Sequence, residues 1–199
     1  MTRNLANQLL DRCASLWNMY GPTETTIWSA VHQVDSSNDS VPIGHPIANT
    51  KIYLIDQECK RQSDPLQLVP VGQHGEVYIS GDGIARGYLN RPEMNQERFI
   101  PDPFSNKPNA RLYKTGDLAR YLPNGNIQFI GRVDHQVKIR GYRIELGDIE
   151  TALSDYPGVK EAAVIVREDS LSEKRLLAYV TSKASSADIG PMLKSSNSL

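Results

Sequence analysis

The chain has 199 residues, 39% of them hydrophobic and 23% charged, and its formal net charge at pH 7 is -1. Such a balance gives no global positive field that would attract nucleic acid or an acidic membrane. Two cysteines are too few for a disulfide framework or a cysteine-based metal site, and no apolar run is long enough to span a bilayer. The amphipathic start, interrupted by Asp11 and Arg12, is not typical of a signal peptide. We therefore expect a cytoplasmic protein that binds neither nucleic acid nor membrane.

The first thirty residues predict a helix, a strand and a tight loop. Apolar residues recur at helical spacing over residues 5–16, and the run LWNMY then reads as a short strand. The chain turns at Gly21-Pro22, after which Thr23 suits the N-cap of a short helix and Glu24 its first turn. The same two positions also suit phosphate chemistry. A hydroxyl at a helix start can contact a phosphate, and a neighbouring carboxylate can bind Mg²⁺.

Residues 41–133 predict a mainly β unit. Short β-rich runs such as TKIYLID and GEVYIS follow one another at a spacing typical of a small barrel or sandwich. Asn124-Gly125 is a strong two-residue turn signal between Tyr121-Leu122 and Ile127-Phe129, so we expect a β-hairpin there.

The sequence character changes near residue 134 and predicts a separate α+β unit over residues 135–182. The run HQVKIRGYRIE reads as a bent or hairpinned β-ribbon, and LGDIETALSDY reads as an amphipathic helix that Pro157-Gly158 stops. KEAAVIVRED and RLLAYVTS read as two strands. IGPMLKS, in the serine-rich tail, hints at a further helix.

Several residues with functional chemistry also have plain structural interpretations. The glycines of GDGIARG are spaced G-x-G-x-x-x-G and no βαβ unit follows, which excludes a Rossmann dinucleotide site. Asp117 is expected in a loop between strands, where it would either accept two ribose hydroxyls or bond to its own backbone. The basic ribbon with Arg132 and Lys138 is offset by acidic residues, so it suits either a solvated face or contact with phosphate. The four histidines show no ligand spacing and do not predict a zinc site.

Three long stretches follow one another along the chain and are informative together: NMYGPTETTIW, GEVYISGDGIARGYLNRPEMNQERF and YKTGDLARYLPNGNIQFIGRVDHQVKIRGYRIELGDIE. Together they closely resemble the adenylation domains of nonribosomal peptide synthetases, in the adenylate-forming superfamily that also contains acyl-CoA synthetases and luciferases. The resemblance covers about residues 16–183. It implies a mixed α+β fold, in which residues 1–133 are the C-terminal portion of the large AMP-binding domain and include a β-rich subdomain at about 41–133. Residues 134–199 would be the truncated start of the small α+β C-terminal domain.

The resemblance also implies roles for individual residues. The implied nucleotide ligands are Asn18 for the adenine amino group, Tyr20 for stacking on adenine, Gly21 in the same loop, Thr23 for the α-phosphate, Asp117 for the ribose hydroxyls, Phe129 near the nucleotide and Arg132 for the ribose or phosphate. Glu24 would bind Mg²⁺ and act in catalysis with Thr23. Lys138, the third implied catalytic residue, lies in the ribbon that turns toward the active site for the thioester step. The remaining implied positions are the amino-acid pocket, with Met19, Ile27 and Trp28, and the interdomain hinge, with Asp134.

The implied activity is that of an ATP-dependent amino-acid-activating ligase. It would use Mg-ATP to form an aminoacyl-adenylate, and would pass this to a phosphopantetheine thiol on a peptidyl carrier domain among other synthetase modules. The family's phosphate loop and terminal catalytic lysine have no counterpart in these residues, so we expect the chain alone to be inactive. Two alternatives remain open: a fragment of an acyl- or aryl-CoA ligase, and a non-catalytic remnant.

Overall fold

The structure is a computed structural model that describes residues 1–36, 40–57, 65–133, 137–139, 142–168 and 174–182. Contacts between Cα atoms divide the chain into two compact units, Met1–Val133 and Asp134–Leu199. Each unit contains both strands and helix, so the mixed α+β class predicted from the sequence is confirmed. Within the described residues, none of the helices is long and apolar enough to cross a membrane.

The first unit opens with helix α1 at Arg3–Leu10. Thr2 caps its start, where the side-chain oxygen accepts a hydrogen bond from the backbone N–H of Leu5 at 3.4 Å. The helix predicted over residues 5–16 is therefore wrong at its C-terminal end. Leu16 has helical spacing in the sequence, but it pairs with Val34 in a sheet, because contacts between strands override local spacing.

A three-stranded antiparallel sheet follows, in the order β1-β2-β3. Its strands are β1 at Leu16–Tyr20, β2 at Ala30–Val34 and β3 at His45–Pro46. Strand β1 confirms the strand predicted from LWNMY. The backbone N–H of Ser29 donates to the carbonyl of Tyr20 at 2.7 Å, so the loop between β1 and β2 closes on itself.

The other strands of the first unit form a five-stranded antiparallel sheet with the path β4-β5-β7-β6, in which β8 also pairs with β7. Its elements in chain order are β4 (Thr50–Ile55), β5 (His74–Gly81), helix α2 (Pro92–Arg98), β6 (Phe99–Pro101), β7 (Arg111–Tyr121) and β8 (Ile127–Arg132). Ala30 from the smaller sheet is buried with Val77 and Ile127 from the larger one in a single core. The sequence predicts a small barrel or sandwich for this part of the chain, and among the described residues the outer strands β4 and β6 do not pair, so the pairing does not close a barrel.

The predicted hairpin between β7 and β8 is confirmed, but its turn has three residues rather than two. The N–H of Leu122 donates to the carbonyl of Asn126 at 2.8 Å, and Gly125 between them takes φ +80°. This left-handed conformation is typical of three-residue hairpin loops. A two-residue turn at Asn124-Gly125 would need a backbone donor at Pro123, and proline has no N–H.

The second unit contains two antiparallel hairpins and one helix. Strand β9 (Val137–Ile139) pairs with β10 (Tyr142–Ile144), β11 (Val159–Glu168) pairs with β12 (Lys174–Ser182), and helix α3 (Leu146–Ser154) packs against β11. Leu146 and Val164 are buried in this unit. The ribbon, the helix and the two strands predicted for this part of the sequence are confirmed. The helix suggested by IGPMLKS falls outside the described residues.

Candidate functional site

The loop between β1 and β2 carries several of the predicted site residues. It contains one 3₁₀ turn at Thr23–Thr25, so the short helix predicted after the Gly-Pro turn is reduced to a single turn. The prediction that Thr23 is the N-cap is wrong. Pro22 occupies that position, and no side-chain capping bond is made. Glu24 does lie in the first turn, and it is only 8% exposed. A buried carboxylate therefore directly follows an exposed threonine, Thr23.

Close backbone packing fixes the shape of this loop. A Cβ atom at Gly21 would lie 2.4 Å from the carbonyl oxygen of Ile27, so any other residue there would force the loop apart. Thr26 and Ile27 both take left-handed φ values, 60° and 71°, which are uncommon for β-branched residues. The Thr26 hydroxyl donates to the carbonyl of Gly83 at 2.6 Å and so holds the turn against the loop after β5. The side chains of Ile27 and Trp28 are left largely exposed.

Asp117 lies within β7, and its predicted position in a loop between strands is wrong. The pairing register between β5 and β7 shifts between Glu76 and Tyr78, which marks a β-bulge around Gly116. Gly116 takes φ +76° there, and its N–H donates to Glu76 Oε1 at 3.1 Å. The Gly-Asp pair therefore forms an irregularity within a strand and not a loop. A bulge of this kind changes the direction of the side chains beside it, including that of Asp117.

Side chains from two other strands meet the Asp117 carboxylate. Arg132 Nη1, at the end of β8, lies 2.7 Å from Asp117 Oδ1, and the Tyr20 hydroxyl, at the end of β1, donates to Asp117 Oδ2 at 2.5 Å. The side chains of Arg132 and Asp117 are 18% and 11% exposed, so the ion pair has little contact with water. Thr115 supports both partners: its hydroxyl accepts from the N–H of Asp117 at 2.9 Å, and its carbonyl accepts from Arg132 Nη2 at 3.2 Å. The cluster is thus a fixed, mostly buried carboxylate with its counter-charge and a phenol.

A second cluster surrounds Glu24 and contains two residues that sequence reasoning missed. The Tyr88 hydroxyl donates to Glu24 Oε1 at 2.5 Å, and it lies 3.2 Å from the hydroxyl of Tyr113. Tyr88 and Glu24 are 64 positions apart, so no local spacing connects them. The sequence signal was present only as the tyrosine of GIARGYL, in a stretch otherwise noted for its glycines.

Three further predicted residues lie on β1 and β8. Asn18 Nδ2 donates to the carbonyl of Pro42 at 2.7 Å, which fixes the orientation of its side-chain amide. Met19 precedes Tyr20 on β1 and is exposed, and Phe129 on β8 is also exposed. These residues lie on two of the strands that carry the Asp117 cluster.

The predicted hinge and the predicted thioester-step lysine belong to the second unit. Asp134 lies outside the described residues, and only the backbone of Lys138, in β9, is described. The roles assigned to both residues therefore stay predictions.

Two tyrosines of these clusters have strongly perturbed acidity. Burial raises the pKa of Tyr20 well above its ordinary value, and the neighbouring Asp117 carboxylate raises it further. Burial also raises the pKa of Tyr88, with a contribution from its hydrogen bond to Glu24. An unfolded tyrosine loses its proton near pH 10. Above that pH the unfolded chain binds fewer protons than the folded chain, so this contribution to stability is complete below about pH 10 and is lost as pH rises further.

We therefore expect the urea midpoint of the chain to fall as pH rises above about 10. The deeply placed Tyr20 should contribute up to about 1.4 kcal/mol per pH unit to the fall, and the more exposed Tyr88 should contribute less. Tyr20→Phe removes one of the ionisable groups and should make the pH dependence shallower. Urea unfolding followed by circular dichroism at a series of pH values measures both slopes. Equal slopes in the wild type and the variant would contradict the expectation.

Known proteins resemble this chain in sequence and in structure. A family model described as "AMP-binding enzyme" matches residues 1–89. The dimodular nonribosomal peptide synthase of Bacillus subtilis (strain 168) is 49% identical over 181 residues, which make up 90% of this chain and 7% of that protein. The structure of PA1221, an NRPS protein containing adenylation and PCP domains, matches with a TM-score of 0.77 and 34% identity over 95% of this chain and 38% of that one.

A further solved structure resembles the chain closely. It is the crystal structure of the Vibrio cholerae adenylation domain AlmE in complex with glycyl-adenosine-5'-phosphate, with a TM-score of 0.79 and 28% identity over 93% of this chain and 35% of that one. The chain thus spans less than a tenth of the curated synthase and a little over a third of each solved structure. By these similarities in sequence and in structure, the chain belongs to the AMP-binding, adenylate-forming family, among the adenylation domains of nonribosomal peptide synthetases.

Proposed function

We propose that the protein carrying this chain is an ATP-dependent ligase that activates an amino acid as an aminoacyl-adenylate for nonribosomal peptide synthesis. The observation that carries the proposal is the convergence of Tyr20 and Arg132 on the mostly buried carboxylate of Asp117, beside a loop that holds Glu24. A relative that shares this stretch of sequence is a nonribosomal peptide synthase, and one structural relative is bound to glycyl-adenosine-5'-phosphate.

The Asp117 cluster suits the nucleoside part of ATP. A carboxylate accepts several hydrogen bonds, so Asp117 can receive ribose hydroxyls in addition to its existing partners. Arg132 pairs with that carboxylate, and the bond through the Tyr20 hydroxyl sets the direction of a ring proposed to stack on adenine. Asn18 donates one amide hydrogen to the carbonyl of Pro42, and its amide oxygen is proposed as the acceptor for the adenine amino group.

The residues present also fit a magnesium ion that is shared with ATP. Within the described residues there is no group of three or more His, Cys, Asp and Glu side chains that could hold a metal by themselves. Mg²⁺ in nucleotide sites is commonly held by one or two carboxylates plus substrate phosphates and waters, and the buried Glu24 supplies one such carboxylate. When bound, the ion would neutralise charge on the phosphates. Thr23 presents an exposed hydroxyl from the same turn for the α-phosphate.

The amino-acid pocket is proposed along the exposed apolar residues of β1 and its loop. Met19, Ile27 and Trp28 all expose large side chains, and the left-handed turn at Thr26 and Ile27 sets the direction of the latter two. An apolar wall of this kind favours a substrate side chain that is not charged where it meets the wall. Phe129 is proposed to lie near the nucleotide.

The later steps involve partners outside this chain. We propose that the adenylate passes to a phosphopantetheine thiol on a peptidyl carrier domain, that Asp134 is the hinge for that step, and that Lys138 acts in it. The PA1221 protein contains a PCP domain beside its adenylation domain, which supports a carrier domain as the partner. A cytoplasmic location is proposed, since a chain with only two cysteines suits a reducing compartment.

The test is substrate-dependent ATP–pyrophosphate exchange by a complete adenylation domain containing these residues. The expected result is exchange with one amino acid, or a few related ones, among the proteinogenic set. Aromatic and fatty acids serve as the comparison substrates. Exchange with these acids alone would overturn the amino-acid assignment in favour of an acyl- or aryl-CoA ligase. No exchange with any acid, from a folded domain, would indicate a non-catalytic remnant.

A further inference from the structure

Glu24 is a buried carboxylate whose direction is set by a tyrosine from a distant part of the chain. The Tyr88 hydroxyl donates to Glu24 Oε1 at 2.5 Å, while Glu24 itself is 8% exposed. We propose that Tyr88 is a positioning residue, which holds the Glu24 carboxylate for Mg²⁺ and so sets the affinity of the site for the Mg–nucleotide complex. This inference rests on the function proposed above.

The direction of the hydrogen bonds follows from the chemistry of phenols. A tyrosine hydroxyl has one hydrogen to donate, and Tyr88 gives it to the carboxylate. In the bond between the two hydroxyls, 3.2 Å apart, Tyr113 is therefore the donor and Tyr88 the acceptor. Tyr113 is fully buried, so its hydroxyl does not exchange this partner for water. Phe99 packs against both rings, with centroids 5.5 Å from Tyr88 and 5.1 Å from Tyr113, and limits rotation of both.

The backbone of Tyr88 is held as firmly as its ring. Asn95 bonds to it twice: Oδ1 accepts from the Tyr88 N–H at 2.6 Å, and Nδ2 donates to the Tyr88 carbonyl at 2.9 Å. Gly87 takes φ +143°, and a Cβ at that position would lie 2.8 Å from Asn95 Oδ1. The glycine therefore allows the close approach that the asparagine clamp needs.

The loop that carries Tyr88 is also tied directly to the turn that carries Glu24. The N–H of Ala85 donates to the carbonyl of Glu24 at 2.8 Å. Arg111 donates to the carbonyls of Ala85 and Arg86 at 2.8 and 3.0 Å and fixes the loop on β7. Backbone and side chain of Glu24 are thus both held by the same loop.

These contacts point to one specific effect on binding. A metal-binding carboxylate that is held in its binding direction loses little freedom when the ion arrives, whereas one that rotates must be ordered first. Tyr88 carries no charge to offer a phosphate. Removing its hydroxyl should therefore weaken binding of the nucleotide with Mg²⁺ and leave binding of the metal-free nucleotide nearly unchanged.

Calorimetric titration of a complete adenylation domain with α,β-methylene-ATP, with and without Mg²⁺, measures this directly and needs no turnover. Tyr88→Phe should raise the dissociation constant of the Mg complex roughly tenfold, the size expected for a lost hydrogen bond to a charged group. The dissociation constant without metal should change less than about twofold. A purely structural role for Tyr88 would raise both constants together, and that result would overturn the proposal.

Two further variants make the result specific. Tyr121→Phe is the matched control. It removes a different phenol, one on β7 that donates to the carbonyl of Ile52 at 2.8 Å, and it should change neither dissociation constant. In a Glu24→Gln background, Tyr88→Phe should have no further effect on the Mg complex, because the carboxylate it positions is gone. An undiminished effect there would overturn the positioning role. A wild-type domain that binds the nucleotide equally with and without Mg²⁺ would instead overturn the metal site of the proposed function, and this inference with it.

Discussion

Replacing Asp117 with asparagine should lower the free energy of unfolding of the first unit by about 3 kcal/mol. Asp117 and Arg132 form a mostly buried ion pair at 2.7 Å, and the Tyr20 hydroxyl donates to the same carboxylate. Asparagine keeps the shape and one acceptor oxygen but removes the negative charge. The Arg132 guanidinium would then stay largely out of water without the Asp117 charge, and this is the costly outcome for a buried pair.

Tryptophan fluorescence during urea unfolding isolates the unit in question, because the two tryptophans of the chain, Trp17 and Trp28, both lie in it. Asp82→Asn is the matched control. It also removes a carboxylate that faces a cation, but Lys107 lies 3.9 Å away and these side chains are 68% and 81% exposed, so the loss should stay below about 1 kcal/mol. Equal losses in the two variants would show that the Asp117 pair is not held out of water as described.

The elements that the sequence predicts correctly are those with local causes. The signals are the run LWNMY in β1, the turn residues between β7 and β8 and the helical spacing of α3, and all of them lie within a few residues of the structure they produce. The errors have distant causes. Leu16 leaves the predicted helix to pair with Val34, and the bulge that takes Asp117 into β7 depends on a register shift against β5. Local spacing carries no information about either partner.

In the candidate site, too, some residues could be predicted from local sequence and others only from the fold. Tyr20, Asp117 and Arg132 could be named from motifs, but Tyr20 and Asp117 stand 97 positions apart, and only the fold shows that their side chains touch. Tyr88 illustrates the opposite case, since its functional interest comes entirely from its contact with Glu24. A tyrosine that follows a glycine has no chemical signature of its own. Residues that act by holding another residue are therefore the ones that sequence reasoning misses.

Glu24→Gln in a complete adenylation domain should reduce the use of Mg-ATP by about 100-fold in kcat/KM, on the proposed function. Glutamine has the same shape, and its amide oxygen can still accept from Tyr88, so the turn should keep its structure. What it lacks is the hard anionic oxygen that Mg²⁺ prefers, together with the charge that the ion would balance. The KM for the amino acid should change less than about threefold, because Glu24 is proposed to meet the metal and not the substrate carboxylate.

Glu76→Gln separates a metal ligand from a merely buried glutamate. Glu76 is also buried, but its oxygens face the N–H of Gly116 at 3.1 Å and Lys114 Nζ at 3.8 Å, where it braces the bulge that presents Asp117. Glu76→Gln should therefore lower the urea midpoint and weaken nucleotide binding to a similar extent with and without Mg²⁺. Glu24→Gln should leave the urea midpoint nearly unchanged and act only when Mg²⁺ is present. Urea unfolding and calorimetric nucleotide titration with and without Mg²⁺ give this comparison, and pyrophosphate exchange measures the activity of each variant. Full exchange activity in Glu24→Gln would rule out the metal role, because the reaction would then proceed without the anionic oxygen proposed to bind Mg²⁺.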